Sequence, residues 1–330
     1  MKQLTVIGGG NAGRNLIETV RAQHVSLPIT LIDARPAVWE NRSFIFADTF
    51  PAPLRLDRWA AGQRIEFICA PAVQVRPHRR KVVLKSGNTH EYGTLAVASG
   101  MQSRKEDLRG VHREGFSYLS DLNLLKVNDY LKISEEVCIE ASTWQGIRWA
   151  FACARCKMRV RLVGKDFGFL GNSRELVFER CGQHRIEIYE GAALAEIIGE
   201  KMVKAVKLEP LKVLSAQIVI KDSGFEPATR FLPEGAETFG VFFTNLERVF
   251  CAGSVTGDDA AHRKFFFGQE EISGRQGRML AEYLLNDTAP EWKEPEYPDP
   301  EACLREELER ALPPRSEEAV QGAESGEREA

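Results

Sequence analysis

The chain has 330 residues, of which 43% are hydrophobic and 28% are charged. This length and composition fit a globular protein with room for two domains, and they exclude a fibrous or wholly disordered chain. No apolar run approaches the ~20 residues that a membrane-spanning helix needs, and no nucleic-acid-binding module is seen. We therefore expect a cytoplasmic protein with no transmembrane segment and no nucleic-acid partner. The seven cysteines are an odd number spread over predicted strands and helices, which favours reduced thiols over a disulfide framework.

The N-terminal stretch KQLTVIGGGNAGRNLIETVRAQ predicts a short apolar strand, a glycine turn and an amphipathic helix. Gly8, Gly10 and Gly13 have the spacing that gives a tight turn, a bare backbone beside a pyrophosphate and close packing of helix on strand. The next predicted strand, ITLID, ends in Asp33, 20 residues beyond the last glycine. A carboxylate at that place can accept hydrogen bonds from both ribose hydroxyls. The four features together predict a dinucleotide site.

A second stretch, VCIEASTWQGIRWAFACARC, has the same plan, but Ala141, Thr143 and Gly146 stand at the three glycine positions. Gly146 keeps the close packing, whereas Thr143 puts a β-branched side chain where a pyrophosphate would approach. The next strand closes on Gly164 and is followed by Lys165, not by an acid, which favours NADPH over NADH. A fold kept without its ligand and a weak site both remain open. The candidate NAD(P) contacts are Thr143, Gly146 and Lys165.

Two further features have a functional and a structural interpretation. Cys153 and Cys156 have thioredoxin-type spacing, but they lie more than a turn into a predicted helix, on the same face as Trp149. That position favours buried or interface thiols over a working dithiol. The run AHRKFFFGQ, residues 261–269, either forms a docking edge for an acidic carrier or a cover over a cofactor, or else fills a local core with its phenylalanines.

The end of the sequence is strongly acidic. From Asn286 onward there are 14 acidic and 5 basic residues, a net charge of −9 in a stretch rich in Pro, Glu, Ala and Ser. Such a composition cannot bury much apolar surface, so we predict a disordered tail with at most a short helix in EACLREELERAL. A segment that docks a partner is the alternative.

Over residues 1 to about 285 the chain resembles the two-dinucleotide-binding-domain flavoproteins. This is the pyridine nucleotide-disulfide oxidoreductase superfamily, which includes NADH:rubredoxin reductases and type II NADH dehydrogenases. Beyond the first turn, four segments carry the resemblance in the family's order: a β-meander that leads to an ATG-like signature at residues 67–100, AQIVIKDSGFEPATRFL, the strand NLERVFCAGSVTG and the closing helix ISGRQGRMLAEYLL.

The resemblance implies an α/β fold of two Rossmann-like domains, the second inserted in the first. Residues 1–115 and 225–285 would form the FAD-binding domain and residues 116–224 the NAD(P)-binding-like domain, with residues 286–330 as the flexible acidic tail. The implied cofactors are FAD and either NADPH or NADH.

The resemblance also implies where FAD lies. Its pyrophosphate would face the first turn, its ribose Asp33 and its adenine the backbone of Val73. Arg42 is similar to the arginine of a Y-x-R-P stretch in rubredoxin-reductase-like members, and Ser254 replaces the family's aspartate for the ribityl chain. The residues implied to contact FAD are Gly8, Gly10, Asn11, Ala12, Gly13, Asp33, Arg35, Arg42, Val73, Ala98, Ser99, Gly100, Gly253 and Ser254.

Disulfide reductases of this superfamily place redox cysteines on the first helix or shortly after the second strand, and DARPAVWENRSFIFADTF contains none. We therefore expect an FAD-dependent oxidoreductase that passes electrons between NAD(P)H and a separate acceptor, a small redox protein or a quinone, without a redox-active disulfide. One alternative is a flavin-carrying electron-transfer subunit of a larger complex that binds no nicotinamide. Another is a sulfide:quinone reductase-like enzyme, although that class needs redox cysteines at the flavin and an apolar membrane-facing helix.

Overall fold

The computed structural model describes residues 1–38, 52–123, 125, 127–239, 241–256, 269–287 and 302. The predictions for Arg42, for the run at 261–268 and for the tail beyond Asp287, apart from Ala302, lie outside these residues. Among the described helices, none is both long enough and apolar enough to cross a membrane.

The strands, in chain order, are β1 Leu4–Ile7, β2 Ile29–Asp33, β3 Ala37–Val38, β4 Leu54–Arg55, β5 Glu66–Cys69, β6 Ala72–Arg76, β7 Lys81–Leu84, β8 Thr89–Glu91, β9 Thr94–Val97, β10 Met101–Ser103, β11 Phe116–Tyr118, β12 Glu136–Glu140, β13 Arg159–Gly164, β14 Glu187–Glu190, β15 Ala193–Gly199, β16 Val203–Glu209, β17 Lys212–Ser215, β18 Ile218–Lys221, β19 Phe225–Pro227, β20 Thr238–Phe239, β21 Phe243–Thr244 and β22 Val249–Cys251. The helices are α1 Asn11–Gln23, α2 Leu56–Gly62, α3 Val127–Ile133, α4 Trp144–Arg155, α5 Arg174–Gln183 and α6 Gln269–Asn286.

The first sheet has the strand order β20-β21-β22-β9-β1-β2-β5. Across this sheet, β22, β9, β1, β2 and β5 are parallel to one another. Strands β21 and β20 extend it as an antiparallel edge. All four residues of β1 are buried, as expected of a parallel strand that is covered on both faces. Because β1 lies between β2 and β9, its carboxyl end is where the chain order of the sheet reverses, which is the usual ligand position in such sheets.

Helices α1 and α6 pack on each other beside this sheet. The stripe that α1 buries at helical spacing consists of Leu16, Ile17 and Val20. Gly277 of α6 lies so close to α1 that a Cβ atom on it would stand 2.1 Å from the carbonyl oxygen of Ala12. A Cβ atom on Gly274, one turn earlier, would stand 3.1 Å from the side-chain amide nitrogen of Asn15. Glycine at 277 is thus what lets the two helices touch.

The second sheet, β11-β18-β12-β13-β14, is parallel throughout. Helices α4 and α5 cover one face around Ile147, Phe151 and Val177. The antiparallel sheet β15-β16-β17 covers the other face. Strand β12 lies between β18 and β13, as β1 lies between its two neighbours, and α4 follows it after a short turn. The prediction of an α/β fold with two Rossmann-like halves is confirmed.

The two sheets are joined through an antiparallel pair. The chain leaves the first half through β10 and returns through β19, and these two strands pair with each other. All strands of the second sheet fall between them in the sequence. This order agrees with an inserted second half, whereas the boundaries 1–115, 116–224 and 225–285 stay a prediction.

Candidate functional site

The turn between β1 and α1 can hold a phosphate only because of its glycines. Gly8 has a φ of +109°, and a Cβ atom on it would stand 2.2 Å from the carbonyl oxygen of Ala98. A Cβ atom on Gly13 would stand 2.0 Å from the carbonyl oxygen of Gly8. Gly10 differs, since a Cβ atom there would meet nothing within 4 Å. The turn is therefore tightly packed at its base and open at Gly10, where a ligand can approach the backbone and the N-terminus of α1.

Asp33 ties this turn to the end of β2. One carboxylate oxygen accepts a hydrogen bond from the Gly9 backbone N–H at 2.7 Å, and the other accepts one from the Arg35 N–H at 2.8 Å. The Arg35 guanidinium lies 3.5 Å from the same carboxylate. Asp33 is 5% exposed, both of its carboxylate oxygens accept hydrogen bonds, and it lines the cleft described next. An acid in that position can accept hydrogen bonds from ribose hydroxyls.

A cleft of about 750 Å³ opens beside this turn, a size within the range of cofactor sites. The residues predicted to contact FAD that line it are Gly8, Asp33, Arg35, Val73 and Ser99. Part of the cleft wall is formed by Ser120, Asp121, Leu122 and Asn123, which follow β11. That wall was not predicted, because nothing in its sequence marks it as ligand-facing.

Other predicted contacts lie farther along β9 and β22. Ser254 Oγ would be 3.5 Å from a Cβ atom on Gly100, so these two residues face each other across neighbouring strand ends. The Gly253 N–H donates a 2.7 Å hydrogen bond to the buried Gln276 side chain of α6. Asn11 and Ala12 open α1, Ala98 is buried, and Gly13 packs inside the turn. The open backbone at Gly10, the fixed acid and the cleft are the features that an extended dinucleotide requires, so the residues fit FAD.

No cysteine of the described residues lines this cleft. Burial raises the pKa of Cys138, Cys181 and Cys251 to about 12. Desolvation by burial also raises the pKa of Cys153. Cys156, directly after α4, is half-buried. A thiol with a raised pKa is a poor nucleophile, so the structure favours buried thiols over a dithiol in CARC.

The turn between β12 and α4 is filled by a side chain of the protein itself. Asp222, which follows β18, has no exposed surface. Its Oδ2 atom accepts hydrogen bonds from the Thr143 N–H at 2.8 Å and from the Thr143 hydroxyl at 2.7 Å. The N–H groups of Ser142 and Gly146 also donate to it, both at 3.2 Å. Burial raises the pKa of Asp222, and the hydrogen bonds from Thr143, Gly224 and Ser142 oppose that shift.

A buried ion pair lies next to Asp222. Lys221 Nζ is 2.8 Å from Glu140 Oε2 and 3.0 Å from Glu106 Oε2, and Glu140 also accepts from the Leu194 N–H at 3.0 Å. Burial lowers the pKa of Lys221, but the charges of Glu140 and Glu106 outweigh it, so the pKa lies above its ordinary value. Glu140 and Lys221 are register partners in β12 and β18.

Sequence reasoning missed the roles of Lys221 and Asp222. The signal was two adjacent charges at the end of the apolar run AQIVI. Of the predicted NAD(P) contacts, Thr143 caps α4 and Gly146 packs against Ala141 and Asp222. Lys165 is exposed just past β13. The preference for NADPH over NADH stays a prediction.

Comparison with known proteins agrees with this geometry. Residues 2–273 match the family model described as pyridine nucleotide-disulphide oxidoreductase, whose members bind FAD and NAD(P)H. No curated protein matches the sequence significantly.

Among the solved structures that share the fold are two reductases and an oxidase. A ferredoxin reductase from Rhodopseudomonas palustris is 19% identical, with 89% of this chain and 79% of that chain covered at a TM-score of 0.70. Putidaredoxin reductase, in a covalent complex with putidaredoxin, is 16% identical over 89% of this chain and 78% of that chain, with a TM-score of 0.70. A water-forming NADH oxidase from Lactobacillus brevis, bound to NADH, is 14% identical over 87% of this chain and 70% of that chain, also with a TM-score of 0.70.

The family match covers most of the sequence, and the open first turn with its acid and cleft is what such a flavoprotein needs. The chain belongs to the pyridine nucleotide-disulphide oxidoreductase family and is an FAD-dependent oxidoreductase.

Proposed function

We propose that this protein exchanges electrons between FAD and a separate redox partner, a small electron-carrier protein, without a cysteine relay. The observation that carries the proposal is the first turn, which is open at Gly10 and bordered by the fixed carboxylate of Asp33 at the mouth of the cleft. Two of the structural neighbours are reductases named for ferredoxin and putidaredoxin, which supports a protein partner. The absence of cysteines from the cleft, among the described residues, argues against a sulfide:quinone reductase-like activity.

In this proposal the first turn binds the pyrophosphate and Asp33 the ribose. Val73, which is 47% exposed at the cleft, presents its backbone to the adenine. Ser254 takes the place of the ribityl-binding aspartate, with one hydroxyl that can donate and accept. When bound, FAD supplies the transfer of electrons singly or in pairs.

Flavin binding is tested through Asp33. We expect purified protein to release FAD, not FMN, on denaturation. The Asp33→Ala variant should bind FAD at least about tenfold more weakly, because charge-assisted hydrogen bonds are worth ~1.5–3 kcal/mol each. Asp57→Ala, which removes an exposed carboxylate of α2, is the matched control and should bind FAD as the wild type does. Equal FAD affinity in wild type and Asp33→Ala would overturn the assignment.

Electron exchange is tested by reducing the flavin chemically under anaerobic conditions and mixing the protein with ferredoxin or rubredoxin. We expect reoxidation of the flavin, and the same rate after alkylation of accessible thiols such as Cys69. No transfer to either carrier would count against the protein partner, and loss of transfer on alkylation would point to a cysteine relay.

The electron donor has two candidates. NAD(P)H is favoured by the family and by the neighbour that is bound to NADH. A protein donor is favoured by the second turn, where the phosphate position is taken by Asp222. We expect slow reduction of the flavin by NADPH or NADH, which rapid mixing of the two measures directly.

A further inference from the structure

The chain has two strand–turn–helix units, β1–α1 and β12–α4, and their turns differ in whether a side chain of the protein fills them. In the first, the space at Gly10 is open. In the second, Oδ2 of Asp222 lies at the N-terminus of α4 and accepts four hydrogen bonds, three of them from backbone N–H groups. Backbone N–H groups at the start of a helix are the donors that a dinucleotide pyrophosphate uses in such a unit. The carboxylate therefore has the partners that a phosphate would need.

Asp222 is fixed in this place from several sides. Its backbone N–H donates to the Glu140 carbonyl oxygen at 2.8 Å, and its second oxygen accepts from the Gly224 N–H at 3.2 Å. A Cβ atom on Gly146 would stand 2.9 Å from Oδ2, so the helix approaches the carboxylate as closely as a glycine permits. Moving the side chain aside would leave buried N–H groups without an acceptor, which is costly.

We propose that Asp222 is an internal occupant of the phosphate-binding turn, which competes with the pyrophosphate of a nicotinamide dinucleotide and makes this half of the chain a poor nicotinamide site. The Asp222 carboxylate already accepts from the N–H donors that a pyrophosphate would use. It also occupies the space that the pyrophosphate would need. The retained Gly146 is explained without a ligand, because it accommodates Ala141 and Asp222. This proposal concerns the electron donor in the proposed function. It rests on that function only in assuming that FAD is bound.

The test measures binding, not turnover. The FAD-loaded wild type, Asp222→Ala and Asp222→Asn are titrated calorimetrically with NAD⁺ and with NADP⁺. We expect weak binding to the wild type and at least about tenfold tighter binding to Asp222→Ala, the equivalent of one charge-assisted hydrogen bond. Asp222→Asn is the matched control, since its amide still fills the turn and still offers an acceptor oxygen, and it should stay as weak as the wild type.

A micromolar dissociation constant for the wild type would overturn the proposal, as would an Asp222→Ala variant that binds no more tightly than Asp222→Asn. Should Asp222→Ala lose its flavin or its helical circular dichroism, Asp222→Gly, which also removes the acceptor and empties the turn, replaces it with the same expected gain, and the wild-type affinity still decides. The flavin absorbance of each sample separates the two proposals. A wild-type protein that holds no FAD would contradict the proposed function. A wild-type protein that holds FAD and also binds a nicotinamide dinucleotide tightly would contradict only the role of Asp222.

Discussion

Replacing Gly277 by alanine should loosen the packing of α6 on α1. The added Cβ atom would stand 2.1 Å from the Ala12 carbonyl oxygen, a backbone atom that cannot turn away. Cβ atoms essentially never lie within 3.0 Å of such a neighbour, so the helices must separate by about 1 Å. Overpacking of this kind costs ~1–3 kcal/mol, and moving α6 also strains the buried 2.7 Å hydrogen bond between Gln276 and Gly253. Against this, alanine is better than glycine in a helix by ~1 kcal/mol.

The matched control is Gly274→Ala, on the same helix and one turn earlier. Its Cβ atom would stand 3.1 Å from the Asn15 side-chain nitrogen, and that side chain can rotate. The gain in helix propensity should offset this small cost, so Gly277→Ala is expected to be less stable than Gly274→Ala by about 2 kcal/mol. The assay is urea unfolding of the FAD-saturated proteins, followed by circular dichroism. Equal midpoints for the two variants would refute the close packing of α1 and α6.

Two further predictions concern buried charges and thiols. Lys221→Met leaves Glu140 buried without a cation and should cost about 3–5 kcal/mol of unfolding free energy, much of which Lys221→Met/Glu140→Gln should recover. Because the pKa of Lys221 is raised above 10.5, the difference between wild type and variant should persist through neutral pH and shrink as the pH rises beyond 10.5. A difference in unfolding free energy that vanishes near neutrality would contradict the ion pair. Thiol labelling of the native protein at mildly alkaline pH, mapped by peptide mass spectrometry, should modify Cys69 and spare the four buried cysteines until urea is added. The four are Cys138, Cys153, Cys181 and Cys251. Early labelling of any of them would contradict their burial.

The first turn could be predicted because its determinants are local. Three glycines, the helix after them and an acid 20 residues later fix one another's positions through two neighbouring strands and the helix between them. The closing helix was recognised from its resemblance to the family's closing helix, a single continuous segment, and the structure places it in α6. Whether these residues contact FAD stays a prediction.

The occupied second turn could not be predicted, because its occupant comes from far along the chain. Thr143 and Asp222 are 79 residues apart and meet only through the parallel pairing of β12 with β18. The sequence shows that glycines are missing from the turn, but it does not show what fills the space. The cleft wall after β11 was missed for the same reason, since it becomes a wall only when the second half folds against the first.

An anion supplied by the chain itself also changes what the second half needs in order to fold. The N-terminus of α4 has its counter-charge in Asp222 as soon as β12 and β18 pair. At the N-terminus of α1 the carboxylate of Asp33 accepts from the Gly9 N–H, and among the described residues nothing lies within 4 Å of a Cβ atom built on Gly10, where a ligand's anion could be held. We therefore expect the inserted half to fold without any nucleotide, and the half around it to gain stability from bound flavin by mass action. If FAD is bound as proposed and Asp222 excludes the nicotinamide dinucleotide, we expect the amount of folded protein to follow the supply of flavin and not that of nicotinamide.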